Sequence, residues 1–329
     1  VSNRVFLERV STTGYLSAVR QGLRYIDFGG LVSSDDQVFI KPNLTFPTYR
    51  PGVMTSLPAI EAAIQAIREY TPHIYLGDAD SGGYNPFSMD LVYRETGLQA
   101  LAQTYGVQVV NLSRLERRTI SFQARGKHVS LDLPRLLTDE ISLLVTMPVP
   151  KVHCNTGVSL TFKNQWGCIP EPNDRLRLHP YLERVVLEVS RAVKARVAIV
   201  DGTFGLNGNG PMRGEPVELD WILIADGLGA GARVACTLMQ VPLVKVRHLR
   251  HAQAQGLVPA LDEIALSQDY RPFLGPKFKL RRKWTDIPGL LAFRSPVLAH
   301  LAYFSPLASI LHRILYLFRE PFYRYTRRT

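Results

Sequence analysis

Two histidines and a lysine stand within one short stretch of this chain: His153, Lys163 and His179, in the run PKVHCNTGVSLTFKNQWGCIPEPNDRLRLH. An imidazole moves protons or ligates metal near neutral pH, and an amine serves as nucleophile, Schiff-base former or phosphate anchor. Three such groups in one loop-rich stretch exceed what a fold requires. Other segments carry polar residues where predicted strands end. Lys41 and Asn43 flank Pro42, which holds Lys41 extended and aims an ammonium and an amide at an anionic ligand, unless they merely end a strand. Asp78 and Asp80 lie in a Gly/Ser segment, as ligands for a hard cation or a ribose hydroxyl or as Asx-turn formers. Asp201 opens a long predicted loop reaching Gly214 that holds five glycines, Gly208 and Gly210 among them, whose amides can cradle a phosphate or carboxylate. The run from Asp226 to Gly231 has the Gly-x-Gly-x-Gly spacing of a dinucleotide turn but no evident acidic partner, so it is a weak signal.

The elements that must position these groups alternate along the chain. Strands are predicted at Val5–Val10, Gln37–Ile40, His73–Leu76, Val107–Leu112, Ile141–Met147, Val197–Val200, Trp221–Ala225 and Leu243–Val246. Helical patterns fall between them, at Tyr15–Phe28, Leu57–Tyr70, Asp90–Tyr105, Tyr181–Lys194 and Ala230–Gln240. The alternation predicts an α/β fold, a mainly parallel sheet with helices on both faces. Two alternating runs around Ala124-Arg125-Gly126-Lys127 predict a hairpin inserted into that scheme.

A chain of 329 residues, 46% hydrophobic and 20% charged, buries a large core in one big or two modest domains. Its net charge of +11 is unevenly spread. Residues 271–329 hold twelve Lys/Arg against Asp286 and Glu320, a local +10, which leaves +1 for the rest. Nucleic acid is therefore not an expected partner of the globular part. Cys154, Cys168 and Cys236 are too scattered for a zinc or iron–sulfur set, so no iron–sulfur cluster is expected and a reducing, cytoplasmic location is. The N-terminal run VSNRVFLERV lacks the apolar core of a signal peptide.

A division into residues 1–270, an α/β unit of one or two lobes, and 271–329, a basic tail, follows from this charge map. The longest tail run without Asp, Glu, Lys or Arg, Ser295–His312, contains Pro296, His300 and Pro306, which disfavours a bilayer-spanning helix. From Leu307, the residues Leu307, Ile310, Leu311, Ile314, Leu315 and Phe318 fall on one helical face. That pattern fits an amphipathic helix at a membrane surface, attracted to anionic lipid at the inner face of the membrane. Packing on the chain's own domain or on a partner fits it too, and nucleic acid less well.

Several of these motifs occur together in one family. Ile40-Lys41-Pro42-Asn43-Leu44, Gly77-Asp78, Pro150-Lys151-Val152-His153, Lys163-Asn164, His179, Asp201-Gly202 and Gly208-Asn209-Gly210-Pro211 closely resemble, over about residues 1 to 245, the family called domain of unknown function 362. Many of its members carry a ferredoxin-like cysteine cluster that this chain lacks. More distantly, His153, Gly157, Ser159, Lys163 and His179 resemble the order and spacing found in nickel-dependent lactate racemases. That resemblance implies a nickel-pincer nucleotide held covalently by Lys163, nickel ligated by His179 and a proton accepted by His153. Those enzymes carry a further upstream histidine, and residues 83–90 have none, so two-base racemisation is not implied.

The resulting expectation is an enzyme that binds a small anionic ligand or a nucleotide-like or metal cofactor and transfers a proton or hydride. Lys41, Asp78, His153, Lys163, His179 and Asp201 surround its site, and the tail docks it to membrane. The competing expectation is a non-catalytic binding or scaffold protein built on the same sheet.

Overall fold

The computed structural model describes residues 3–82 and 87–318. Its strands are β1 (Arg4–Arg9), β2 (Val38–Pro42), β3 (Ile74–Asp78), β4 (Gln108–Asn111), β5 (Arg117–Ala124), β6 (Lys127–Pro134), β7 (Leu143–Met147), β8 (Lys151–His153), β9 (Gly157–Ser159), β10 (Ala195–Asn207), β11 (Glu215–Asp226) and β12 (Ala265–Leu266). The main sheet runs β12-β1-β11-β10-β7-β2-β3-β4, with β8 against β10 and β9. Pairing from β10 through β7, β2 and β3 to β4 is parallel. β11 lies antiparallel to both β1 and β10, so one side of the sheet is mixed.

Side-chain alternation explains why helices cover both faces. Val38, Ile40, Leu143, Val145, Val197 and Ile199 join the core beneath the helices Tyr15–Tyr25 and Leu57–Ile67. Their neighbours Phe39, Leu144, Ala198 and Val200 join the opposite core, beneath Leu182–Ala192 and Leu228–Leu238. Each Val, Leu, Ile or Phe side chain so buried stabilises the fold by roughly 1.5–3 kcal/mol. β5 and β6 form the separate hairpin, turning at Arg125 and Gly126, both at positive φ as a two-residue turn of the tight inverted type requires.

Three expectations need correction. The segment 90–105 is two helices, Met89–Glu95 and Leu98–Thr104, because Gly97 takes φ +80° and breaks the ladder. Leu243–Val246 forms a helical turn instead of a strand: Leu243 and Val246 are buried while Val244 is exposed, a spacing of three that suits a turn. The glycine-bearing segment after Val200 is not a long loop, since β10 continues to Asn207 and pairs with β11 as far as Asn207 opposite Glu215.

The C-terminal region folds into the helices Ile287–Ala292, Pro296–Tyr303 and Ala308–Phe318. Its first half lies against the body. Phe278 is buried, the Arg281 amide donates to the Gly208 carbonyl at 2.7 Å, and Asn209 Nδ2 donates to Asp286 Oδ2 at 2.7 Å. Among the described residues no single helix is long and apolar enough to cross a membrane; the last two helices reach that composition only together, across a bend of 78°.

Candidate functional site

In a parallel sheet the carboxyl ends of the strands share one edge, and ligands collect beyond it. β2 ends at Lys41-Pro42 and β3 at Asp78, with the Lys41 ammonium 3.0 Å from Asp78 Oδ2 and both side chains buried. Lys41 Nζ also donates to the Pro42 carbonyl at 3.1 Å. Asp78 accepts from the Ala79 amide at 2.9 Å and the Leu44 amide at 3.3 Å, so both its oxygens are engaged. Gly167 lies directly over this pair. A Cβ there would stand 2.5 Å from Asp78 Oδ1 and 2.8 Å from Lys41 Nζ, a space that only glycine leaves open.

β8 adds Lys151 beside them. Its Nζ donates to Asn43 Oδ1 at 2.7 Å and to the Val53 carbonyl at 2.6 Å. Burial, then the charge of Lys41, push its ammonium down to about 7 against the pull of Asp78. Asn43 passes the network on, donating to Asn164 Oδ1 at 3.0 Å, while Asn164 Nδ2 donates to Thr146 Oγ1 at 2.8 Å and to the Lys41 carbonyl at 3.2 Å. The short helix Thr161–Asn164 is thereby fixed to the ends of β2 and β7.

Lys163 occupies that helix and differs from the other two lysines. Its ammonium group has no hydrogen-bond or ion-pair partner among the described residues; its recorded contact is with the Trp166 ring, 5.0 Å from the centroid. Burial, and then the charges of Lys151, Arg175 and Lys41, lower it to about 7. Lys151 has two acceptors that favour its charged form, whereas Lys163 has none among the described residues. Lys163 is thus the amine most readily found as a free base near neutral pH.

The two histidines of the run are held in opposite tautomers. His153 Nδ1 accepts from the Asn155 amide at 3.2 Å, which leaves the proton of the neutral ring on Nε2. His179 Nδ1 lies 2.6 Å from the Arg175 carbonyl; a carbonyl only accepts, so Nδ1 carries the proton and Nε2 keeps its lone pair. Burial and then Lys163 hold both rings neutral, His179 down at about 3 and His153 well below its usual range. Phe293 stacks on His179 at 3.8 Å between centroids and Trp166 meets its edge at 5.0 Å.

These groups line a cavity of about 240 Å³ together with Arg175 and Pro211. Lys41, Lys151, Lys163 and Arg175 line this chamber with one carboxylate, Asp78, so basic groups outnumber acidic ones on its walls. The structure brings together five predicted residues: Lys41, Asp78, His153, Lys163 and His179. Asp201, Gly208 and Gly210 are not on its walls. Asp201 accepts from the Ser56 amide at 2.8 Å and from Thr203 Oγ1 at 3.0 Å, which anchors the start of the helix Leu57–Ile67. Gly208 offers its carbonyl to Arg281. Gly210 presses on β8, where a Cβ would stand 1.9 Å from the Val152 carbonyl oxygen.

A family model described as "Domain of unknown function (DUF362)" matches residues 38–237, the span that supplies most of these groups. The chain belongs to the DUF362 family. It is 24% identical over 249 residues to the thylakoid-associated protein sll1697 of Synechocystis sp., covering 72% of this chain and 73% of that protein. Among solved structures, the lactate racemase apoprotein from Thermoanaerobacterium thermosaccharolyticum matches 72% of this chain at 13% identity and a TM-score of 0.46. The chain spans 56% of that racemase chain.

Residues of this DUF362 protein that the sequence reading did not single out for the site are Lys151, Arg175, Asn164, Gly167 and Phe293. Lys151 carried a legible signal, a lysine two positions before His153 in PKVH. Phe293 carried none, because it comes from the C-terminal region, more than a hundred positions from the ring it covers. Of residues 83–90, which contain no histidine, residues 83–86 lie outside the described residues.

Proposed function

We propose that this DUF362 protein is an enzyme acting on a small anionic substrate, with the Lys163 amine as its reacting or cofactor-bearing group. The observation that carries this reading is an amine buried without a hydrogen-bond or ion-pair partner among the described residues, lowered to about 7, in a cavity with three other cations. A protein that needed Lys163 only for stability would give it a carboxylate. Lys41, Lys151 and Arg175 bind the anionic group, and His153 donates from Nε2 or takes a proton there after giving one up. Proton or hydride transfer is the reaction class that these groups serve best.

A nickel-pincer nucleotide on Lys163 is the candidate cofactor, and one observation fits it. The free lone pair of His179 Nε2, with Nδ1 tied to a carbonyl, is the arrangement of an imidazole ligand with its supporting hydrogen bond. His179 would then be a protein ligand to a metal that an organic cofactor brings with it, supplying a hydride acceptor. Intact mass and elemental analysis of protein from its native host test this: an adduct on Lys163 with stoichiometric nickel is expected, and an unmodified, metal-free chain removes the pincer. Turnover itself is tested by Lys163→Ala and His153→Ala, both expected to fail to complement a deletion. Full complementation by both removes the enzyme in favour of a binding protein.

The same protein docks to an anionic membrane surface through residues 271–329. Val297, Leu307, Ile310, Ile314 and Leu317 are exposed, Val297 and Leu317 at 75% and 79%, beside a region rich in arginine and lysine. The thylakoid association in the relative's name accords with this. Residues 319–329, which hold part of that charge, lie outside the described residues. Flotation with anionic liposomes is expected for the native chain and not for Ile310→Asp/Leu317→Asp; equal flotation overturns it. Removing the whole tail is a poorer test, since Phe278 and Phe293 would leave with it.

A further inference from the structure

A second cavity, of about 520 Å³, shares His179 with the first as a lining residue. Its walls include Arg125 from the hairpin turn, Arg247 and His248 from the helix Arg247–Ala254, Arg282 and Arg294 from the C-terminal region, and Glu183. Glu183 is shared by two of the guanidinium groups, at 3.4 Å from Arg125 and 3.0 Å from Arg247. Arg282 donates to the Cys154 carbonyl at 2.9 Å, and the Arg294 side chain has no partner among the described residues. Four guanidinium groups therefore face one carboxylate.

His248 makes the arrangement specific. It is 1% exposed, yet neither ring nitrogen has a hydrogen-bond partner among the described residues. Burying a donor and an acceptor with nothing to bond is costly, and native proteins rarely do it without a ligand or an ordered water. The surrounding arginines indicate what that ligand is. A carboxylate has two oxygens for them, whereas a phosphate has three and matches several guanidinium forks at once while still accepting from an imidazole N–H. We infer that this cavity is a binding site for a phosphate monoester, held by Arg247 and Arg294 and by a hydrogen bond from His248. The inference stands whether or not Lys163 reacts, because it uses neither that residue nor any cofactor on it.

Two sources offer this chemistry, a soluble phosphorylated metabolite or cofactor and a phospholipid head group. Calorimetric titration of the full chain with inorganic phosphate and with glycerol 3-phosphate tests the site directly. Binding of both is expected, weakened roughly tenfold or more by Arg247→Ala/Arg294→Ala and by His248→Phe. Arg20→Ala, which removes a surface arginine paired with Glu69, is expected to bind as the native chain does. Should either cavity variant misfold, the imidazole signals of His248 in the native chain replace it: they are expected to move as phosphate is added. Displacement of glycerol 3-phosphate by phosphatidic acid vesicles, and not by phosphatidylcholine vesicles, assigns the site to a lipid head group; no displacement assigns it to a soluble ester. Unchanged affinity in folded cavity variants, unmoved His248 signals, or no binding at roughly 10 mM phosphate overturns the inference.

Discussion

The run from Lys151 to His179 and the run from Asp201 to Gly214 look equally rich in the sequence, yet the fold uses them in opposite ways. In the first, polar groups at the sheet edge face a cavity, and one of them, Lys163, has no hydrogen-bond or ion-pair partner among the described residues. In the second, they are consumed by the protein itself: Asp201 by Ser56 and Thr203, Gly208 by Arg281, and Gly210 by close approach to Val152. Polar residues that a fold needs are satisfied within it. Those left unsatisfied are kept for something else.

The sharpest way to break this contrast is at Lys163. An anionic amine reagent such as trinitrobenzenesulfonate is expected to label it with a midpoint near pH 7, and Lys163→Ala to abolish that labelling; a midpoint near the ordinary lysine value of about 10.4 would put Lys163 with the structural residues. The same shift has a consequence for stability. Because the folded chain releases this proton near 7 and the unfolded chain only near 10.5, the cost of burying the charge is present in full below pH 7 and shrinks as pH rises between the two values. Lys163→Met is therefore expected to raise Tm, more at pH 6 than at pH 9, and an equal change at both pH values would contradict the assignment.

Smaller effects follow on the structural side. Lys41→Met strands the Asp78 carboxylate in the interior and is expected to lower stability by about 3–5 kcal/mol in denaturant titrations, much of it recovered in Lys41→Met/Asp78→Leu. A fully additive double variant would mean that the pair is not coupled. Gly210→Ala drives a methyl group into a carbonyl oxygen, and a loss of roughly 1–3 kcal/mol is expected, with Lys163 labelling retained. Asp201→Asn keeps one acceptor oxygen and is expected to lose only about 1 kcal/mol, again with the Lys163 midpoint unmoved. A shifted midpoint in either variant would join the glycine run to the site after all.

Much of the sheet was legible because a short continuous apolar run of four or five residues is a local signal of a strand buried on both faces. Gln37–Ile40 and Ile141–Met147 are within two residues of β2 and β7 at each end. The failures have local causes of the opposite kind. The glycines of 201–214 read as loop because their small size signals conformational freedom, whereas β10 uses glycine where neighbouring side chains and backbone come close. For Gly202, a Cβ would meet the Trp221 ring at 2.1 Å. His248 was invisible, since its distinction is the lack of a hydrogen-bond partner among the described residues, in a place that only the folded chain creates.

By itself the sequence determined the alternating α/β order, the hairpin at Arg125-Gly126, the basic C-terminal region and the reactive run from His153 to His179. These depend on spacing along the chain, which local sterics and side-chain periodicity translate directly into structure. Only the tertiary structure decided which reactive groups meet. It joined Lys41 to Asp78 across two strands, excluded Asp201, left Lys163 without a hydrogen-bond or ion-pair partner among the described residues and brought Phe293 onto His179. Charge, tautomer and protonation depend on distance and burial, and both are set by residues remote in the chain.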